Sequence, residues 1–288
     1  MTVRITKPEI NIREKFSQLD RDTSVAMGGG LAVGGTVTEY ISGGKTYRVH
    51  SFTTNSEFAL IGTKSVDFLV LAGGGGSAAA EGQQGASGGA GAGGMVVGSK
   101  QLLRSGNYPI VVGAGGAKST NVSVMGGSGG NSSFNEFIAS AGGAGPDYGS
   151  DGGAGGSGGG GAEPGRAAGA SNQNSYITHT NVTGFGNAGG SGGAYVGGGS
   201  GGGGGAGGAG TASNGTVAAG GVGLANNFRT GSNVTYARGG NGVSAGGSNS
   251  SDEGANTGNG AHGVATTSGN NPNSGNGGSG LVVIRYVV

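Results

Sequence analysis

The chain has 288 residues, of which 78 are Gly; only 10% are charged, 6% are aromatic, and none is Cys or Trp. A helix-based α/β architecture is excluded, because each glycine in a helix interior costs about 0.8–1 kcal/mol relative to alanine; so is any disulfide or Cys-metal scaffold. A formal net charge of +1 gives no electrostatic reason to bind nucleic acid or an anionic membrane.

Five Pro and a constantly broken glycine register rule out a collagen triple helix. No run approaches 18 consecutive apolar residues, so no membrane insertion is expected. The opening MTVRITKPEINIREKF lacks the apolar core of a signal peptide, which predicts synthesis in the cytoplasm without export.

In chain order, residues 1–72 hold 8 glycines and 15 charged residues, whereas residues 73–280 hold 70 glycines and 13 charges. Pro8 suits the first turn of a helix. Ile12, Phe16 and Leu19 then fall at i, i+4 and i+7 on one helical face. A helix this short is marginal alone, so residues 1–22 are expected to form an α-helix that docks on another chain. Residues 23–36, rich in Gly and small residues, are expected to be a linker.

Strand signals follow. TVTEYIS and KTYRVHSFTT flank Gly43-Gly44, a two-residue hairpin signature. In the second run Tyr47, Val49 and Ser51 face one way and Arg48, His50 and Phe52 the other. SEFALI and SVDFLVLA come next, and the continuous apolar stretch Phe68–Ala72 predicts burial on both faces. GMVVGSKQLL, NYPIVVGAG and SSFNEFIASA each read as a strand, and LVVIRYVV closes the chain. That last strand must pair, because unpaired backbone groups in a core are too costly. The early strands are its natural partners. The expected fold is therefore mainly β: a β-sandwich over residues 37–142 and 279–288, closed by the C-terminal strand, with a glycine-rich body inserted over 143–278. Such non-local pairing predicts slow folding.

Within the body, GGAGGSGGGGA (152–162) and GGGSGGGGGAGGAG (197–210) carry local three-residue registers. GGx triplets fit a polyproline-II-type glycine helix, three residues per turn with no internal hydrogen bonds. Without Cβ atoms, such helices can approach closely and exchange hydrogen bonds with several neighbours. The clusters SYITHTNVTGFG and GLANNFRTGSNVTYARGG read as loops between packed tracts.

The phrases KTYRVHSFTTNSEFAL, VDFLVLAGGGGS, YPIVVGAGG, GGSGGNSSF and GGSGLVVIRY, in that order, resemble a glycine-rich domain common in bacteriophage tail fibres and related virion proteins. The start, ITKPEINIREKFSQLD, resembles the opening of many phage tail and virion proteins. The architecture also resembles that of fibre-tip adhesins, which present receptor-binding loops from packed glycine helices. The resemblance implies a virion protein that docks on other tail or fibre proteins through Ile12, Phe16 and Leu19 and recognises a host surface receptor. A homotrimer is one assembly that it implies. A capsid decoration or other appendage without a receptor is the alternative.

Candidate chemistry is sparse. Gly44-Lys45-Thr46 ends like a phosphate loop, but Glu39 occupies the required first glycine. Gly142 to Asp147 matches one calcium β-roll repeat, and Gly149 then breaks it. His50, His179 and His262 lie far apart in sequence with no ligand spacing. Asp147, Asp151 and Glu163 sit on no rigid element that would hold two carboxylates about 5–10 Å apart around a sugar. No catalytic residue, metal or cofactor is expected. Aromatic side chains in loops are good recognition groups. Those between glycine tracts are Tyr148, Tyr176, His179, Phe185, Tyr195, Phe228 and Tyr236, with about half of them expected to be structural.

Overall fold

A computed structural model describes residues 31–80, 85–244, 250–266 and 273–288. The expected N-terminal helix, with Ile12, Phe16 and Leu19, lies outside the described residues. The described fold is mainly β, and all strand pairing within its sheets is antiparallel. In chain order the strands are β1 (Ala32–Val33), β2 (Thr36–Ser42), β3 (Lys45–Phe52), β4 (Ser56–Leu60), β5 (Lys64–Leu71), β6 (Met95–Leu103) and β7 (Gly106–Val111). They continue with β8 (Ser132–Phe134), β9 (Phe137–Ala139), β10 (Val182–Phe185), β11 (Leu224–Asn226), β12 (Val234–Tyr236) and β13 (Leu281–Val287).

Alternation sets the sheets. One has the order β10-β6-β5-β13-β3-β2, another β1-β4-β7-β8-β9, and β11-β12 form a separate hairpin. Gly43 and Gly44 turn β2 into β3 with φ of 57° and 74°, both in the left-handed region that a two-residue hairpin turn requires. The terminal strand β13 lies between β3 and β5, with Ile284 opposite both His50 and Phe68. The two larger sheets share one core containing Phe52, Phe58, Phe68, Phe134, Phe137 and Ile284. Its rings meet mainly edge to face, as in Phe58 against Phe134 at 6.4 Å and Phe68 against Phe134 at 5.4 Å. Buried His50 bonds the Gly34 carbonyl at 2.7 Å and the Tyr286 hydroxyl at 3.2 Å, and burial pushes its pKa below the ordinary imidazole value.

The opposite face of the six-stranded sheet is also covered. Val49, Leu69, Leu71, Met95, Leu281 and Val283 pack with Phe228 and Tyr236 of the β11-β12 region. The Phe68–Ala72 run is accordingly buried throughout. Arg285 clips the hairpin to the sheet: its guanidinium lies 3.9 Å from the Phe228 ring centre and 4.7 Å from that of Tyr47. Its Nε donates to Asp67 Oδ2 at 3.0 Å.

Three expectations change. Residues 31–36 are not linker: β1 pairs with β4, and Gly34 and Gly35, at φ of 124° and 62°, carry the chain from one sheet to the other. SSFNEFIASA is not one strand but the β8-β9 hairpin, turned at Asn135 with φ of 54°. A boundary at residue 142 does not separate sheets from glycine, because glycine tracts start at Gly73 and β10 joins β6.

From β5 onward the strands are joined largely by glycine tracts, whose hydrogen bonds follow a rule of three. The N–H groups of Ser87, Ala90 and Gly93 donate to Val264, Ala261 and Gly258 of one neighbour. Those of Gly88, Gly91 and Gly94 donate to Pro146, Gly143 and Ser140 of a second, and those of Gly89 and Ala92 to Gly201 and Gly204 of a third. Carbonyls of the same tract accept from Gly160 and Ser157, from Gly240, and from Gly75, which belong to three more tracts. One backbone thus serves six neighbours. Such contact leaves no space for side chains: a Cβ on Gly203 would stand 2.0 Å from the Ala90 carbonyl oxygen, and one on Gly75 would stand 2.1 Å from that of Gly143.

Gly203→Ala should therefore destabilise the fold by about 3 kcal/mol or more, since backbone rather than a flexible side chain must move. Gly43→Asn, at a position with nothing within 4 Å and a left-handed φ that Asn tolerates, should shift the melting temperature little. Thermal unfolding of the two variants checks the contrast.

Candidate recognition surface

Where tracts leave the strands and turn back, their connections gather. Residues 140–146 lead from β9 to a turn at 147–150, and residues 186–193 lead from β10 to a turn at 194–198. Further turns lie at 163–166 and 213–217. Backbone bonds tie them together: Gly149 N–H donates to the Glu163 carbonyl at 3.0 Å, and Gly215 N–H donates to the Gly198 carbonyl at 3.0 Å. The Ser213 hydroxyl donates to the same Gly198 oxygen at 2.8 Å.

Glu163 is the hub of this tip. It is fully buried, and its Oε2 accepts the Gly199 N–H at 2.8 Å. Its Oε1 has no hydrogen-bond partner among the described residues. Burial pushes its pKa above the ordinary carboxylate value, against the opposing effect of backbone N–H groups at Gly199, Gly197 and Ala86. On this base the turns hold apolar side chains out in solvent: Tyr195 is 64% exposed, Val196 51% and Val217 57%.

The seven aromatic and histidine candidates fall in three places. Tyr148, half-buried, and Tyr195 lie on the tip turns. Tyr176 and His179 lie beside β9: Tyr176 is buried against Phe137, its hydroxyl donating to the Ile138 carbonyl at 3.1 Å and accepting the Ile138 N–H at 2.7 Å. His179 packs its ring on Phe137 and Tyr176 and stands 3.9 Å from Glu136 Oε2. Phe228 and Tyr236 are buried against the six-stranded sheet, with Phe185 packed partly buried beside them.

Tyr176, Phe228 and Tyr236 are therefore core residues, not exposed loop contacts. The sheets leave apolar faces that glycine cannot cover, and these rings fill them. Sequence reasoning missed Val196 and Val217 as exposed tip residues, and Glu163 as their support. An apolar residue beside a glycine turn, with no periodic partner, is the signal that marks the first two.

The glycine-rich domain family matches residues 53–287. The chain belongs to this glycine-rich domain family. The match spans strands from β4 to β13 and the glycine tracts between them. No curated protein matches the chain.

Two outcomes follow for this glycine-rich domain. Tyr176→Ala and Tyr236→Ala should each cost about 3–5 kcal/mol, as buried aromatic truncations do, while Tyr195→Ala should stay within about 0.5 kcal/mol; urea unfolding separates them. Because the folded pKa of Glu163 is raised, its contribution to stability falls as pH rises from the ordinary carboxylate value through the folded one, and is constant beyond either end. Glu163→Gln should remove that slope from the difference in melting temperature between variant and wild type across the range. Glu163→Ala should destabilise at every pH by leaving the Gly199 N–H without its acceptor.

Proposed function

We propose that this protein is a bacteriophage virion protein, a tail fibre or fibre-tip adhesin that recognises the host cell surface. The observation that carries the reading is the tip: Tyr195, Val196 and Val217 are held in solvent on short turns locked by backbone hydrogen bonds around buried Glu163. Exposed apolar side chains mark an interaction site when they adjoin one another rather than lie scattered, and the Tyr195 hydroxyl reaches the 213–217 turn, 3.4 Å from where a Cβ on Gly215 would stand. Ordered turns lose little conformational entropy when one binds.

In this reading the two larger sheets are a β-sandwich closed by β13, and the glycine tracts are packed polyglycine-II helices. Donation to three neighbours in strict rotation supports the second point, since a helix with three residues per turn aims every third N–H the same way. The resemblance of ITKPEINIREKFSQLD to phage tail openings supports attachment to other virion proteins through Ile12, Phe16 and Leu19. The tip is a binding surface and not a catalytic one.

Purified full-length chain should bind susceptible cells and compete with phage infection. A Tyr195→Ala, Val196→Ala double variant should lose most of that binding at unchanged melting temperature. Equal binding to susceptible and resistant cells, or full binding by the double variant, would overturn the assignment.

A further inference from the structure

A second groove in the tracts shares no lining residue with the tip turns. Three neighbouring tracts, at Gly220–Gly223, Arg238–Asn241 and Asn259–His262, line a groove of about 520 Å³, and Thr235 and Glu253 complete it. The volume falls within the roughly 300–1,000 Å³ usual for small-molecule sites.

Its polar side chains are fixed by the backbone of the next tract. Asn241 Oδ1 accepts the Gly220 N–H at 2.9 Å, Asn259 Oδ1 accepts the Arg238 N–H at 3.0 Å, and His262 Nδ1 accepts the Asn241 N–H at 2.9 Å. With Nδ1 accepting, neutral His262 carries its proton on Nε2, 3.5 Å from Glu253 Oε1. The other Glu253 oxygen accepts from Asn259 Nδ2 at 3.1 Å. The Glu253 side chain is 16% exposed. Arg238 lays its stem near Gly223, and among the described residues it donates through its backbone N–H and not through its guanidinium.

We propose that this groove binds a neutral saccharide. The Arg238 guanidinium and Asn241 Nδ2 supply N–H donors, and the oxygens of Glu253 and Asn259, each already engaged once, keep a second lone pair; planar groups mixing donors with acceptors suit neighbouring sugar hydroxyls, which both donate and accept. The carboxylate and the guanidinium cancel in charge, so a polyanion gains at Arg238 and loses at Glu253. Val222 is the one apolar side chain in the lining, too little for a lipid or an aromatic ligand. A single carboxylate cannot supply the pair that glycoside hydrolysis uses, so the site holds its ligand without cleaving it. None of this requires the tip to bind a host.

The test is a glycan array of neutral hexose and N-acetylhexosamine oligosaccharides, with acidic polysaccharides alongside, probed with full-length protein. Binding of a neutral oligosaccharide is expected, weakened at least about tenfold by Arg238→Gln and by Glu253→Gln and unchanged by Tyr195→Ala. If Glu253→Gln melts early, Arg238→Gln decides alone, because that guanidinium makes no hydrogen bond or ion pair among the described residues. Absence of any neutral ligand, binding confined to acidic polymers, or binding unaffected by Arg238→Gln would each overturn the proposal. Loss of binding in Tyr195→Ala alone would place the ligand at the tip and overturn it as well.

Discussion

Backbone meeting backbone, with no Cβ between, is the constraint on which this structure rests. Across the tracts a carbonyl oxygen occupies the space that a side chain would need, as Ala90 O does for Gly203 and for Gly260, at 2.0 and 2.1 Å from the would-be Cβ atoms. The gain is that N–H groups inside the lattice find carbonyls on neighbouring tracts, so backbone satisfaction, elsewhere a by-product of helices and sheets, becomes the packing force itself. This explains the composition. Charged and aromatic residues find little room inside such a lattice, and apart from Glu163 at the tip the residues that enter it are mostly small: Ala90, Ala92, Ser87 and Ser200 are fully buried. The two serines cost nothing in unpaired hydroxyls, since Ser87 Oγ bonds Ala78 O at 3.1 Å and Ser200 Oγ bonds Ser87 O at 2.7 Å.

The lattice and the sheets depend on each other. A tract has no hydrophobic face and gains little from leaving water, so something else must bring the tracts into register. The strands do this. β5 hands its direction to the tract at Gly73, the tract ending at Gly94 feeds β6, and the tract ending at Gly280 feeds β13. The strands in turn are covered on one side by the core around Phe58 and Phe68 and on the other by Leu281, Val283 and the hairpin rings. Since β13 inserts between β3 and β5, more than 200 residues upstream, the central sheet is complete only once the last strand is in place. Long closure before reward is the condition under which folding is slow.

Much of this was legible in the sequence wherever a period of two or an uninterrupted apolar run was present. The Gly43-Gly44 hairpin, the opposed faces of β3 and the buried run at Phe68–Ala72 belong to that class. β10, β11 and β12, of three or four residues each, carry no period and were not readable. Nor was the burial of Tyr176, Phe228 and Tyr236: an aromatic ring set in Gly, Asn and Thr has the same local sequence whether it plugs a sheet face or meets solvent. The pairing of His262 with Glu253 was hidden differently. His262 is held by Asn241 and Asn241 holds Gly220, in steps of 21 residues, as Asn259 holds Arg238. That spacing is the length of one tract, its turn and the return, and it becomes visible only when the tracts are known to lie side by side.

The same ladder shows how a lattice of this kind ends. An interior N–H finds a carbonyl on the next tract, but at the edge there is no next tract, and a side chain supplies the acceptor. Asn276 does so for Lys118, Asp151 for Ala167 and Asn131 for Ala141, at 2.9, 2.9 and 2.7 Å. Asn, Asp and His are suited to this because a short side chain reaches the neighbouring backbone without disturbing its own. The remaining polar atoms are left for other partners, as Asn259 Nδ2 and His262 Nε2 show by facing Glu253. Termination of the lattice and the chemistry of the flank surface are therefore carried by the same residues. Exchanging one acceptor for another at an edge position, as the ladder already does between Asn241 and His262, changes what the surface offers a ligand while the backbone behind it stays satisfied. The interior leaves no room for a Cβ at most of its glycines, whereas an edge side chain can change without disturbing the backbone packing behind it, so the chemistry of the flank is free to vary there.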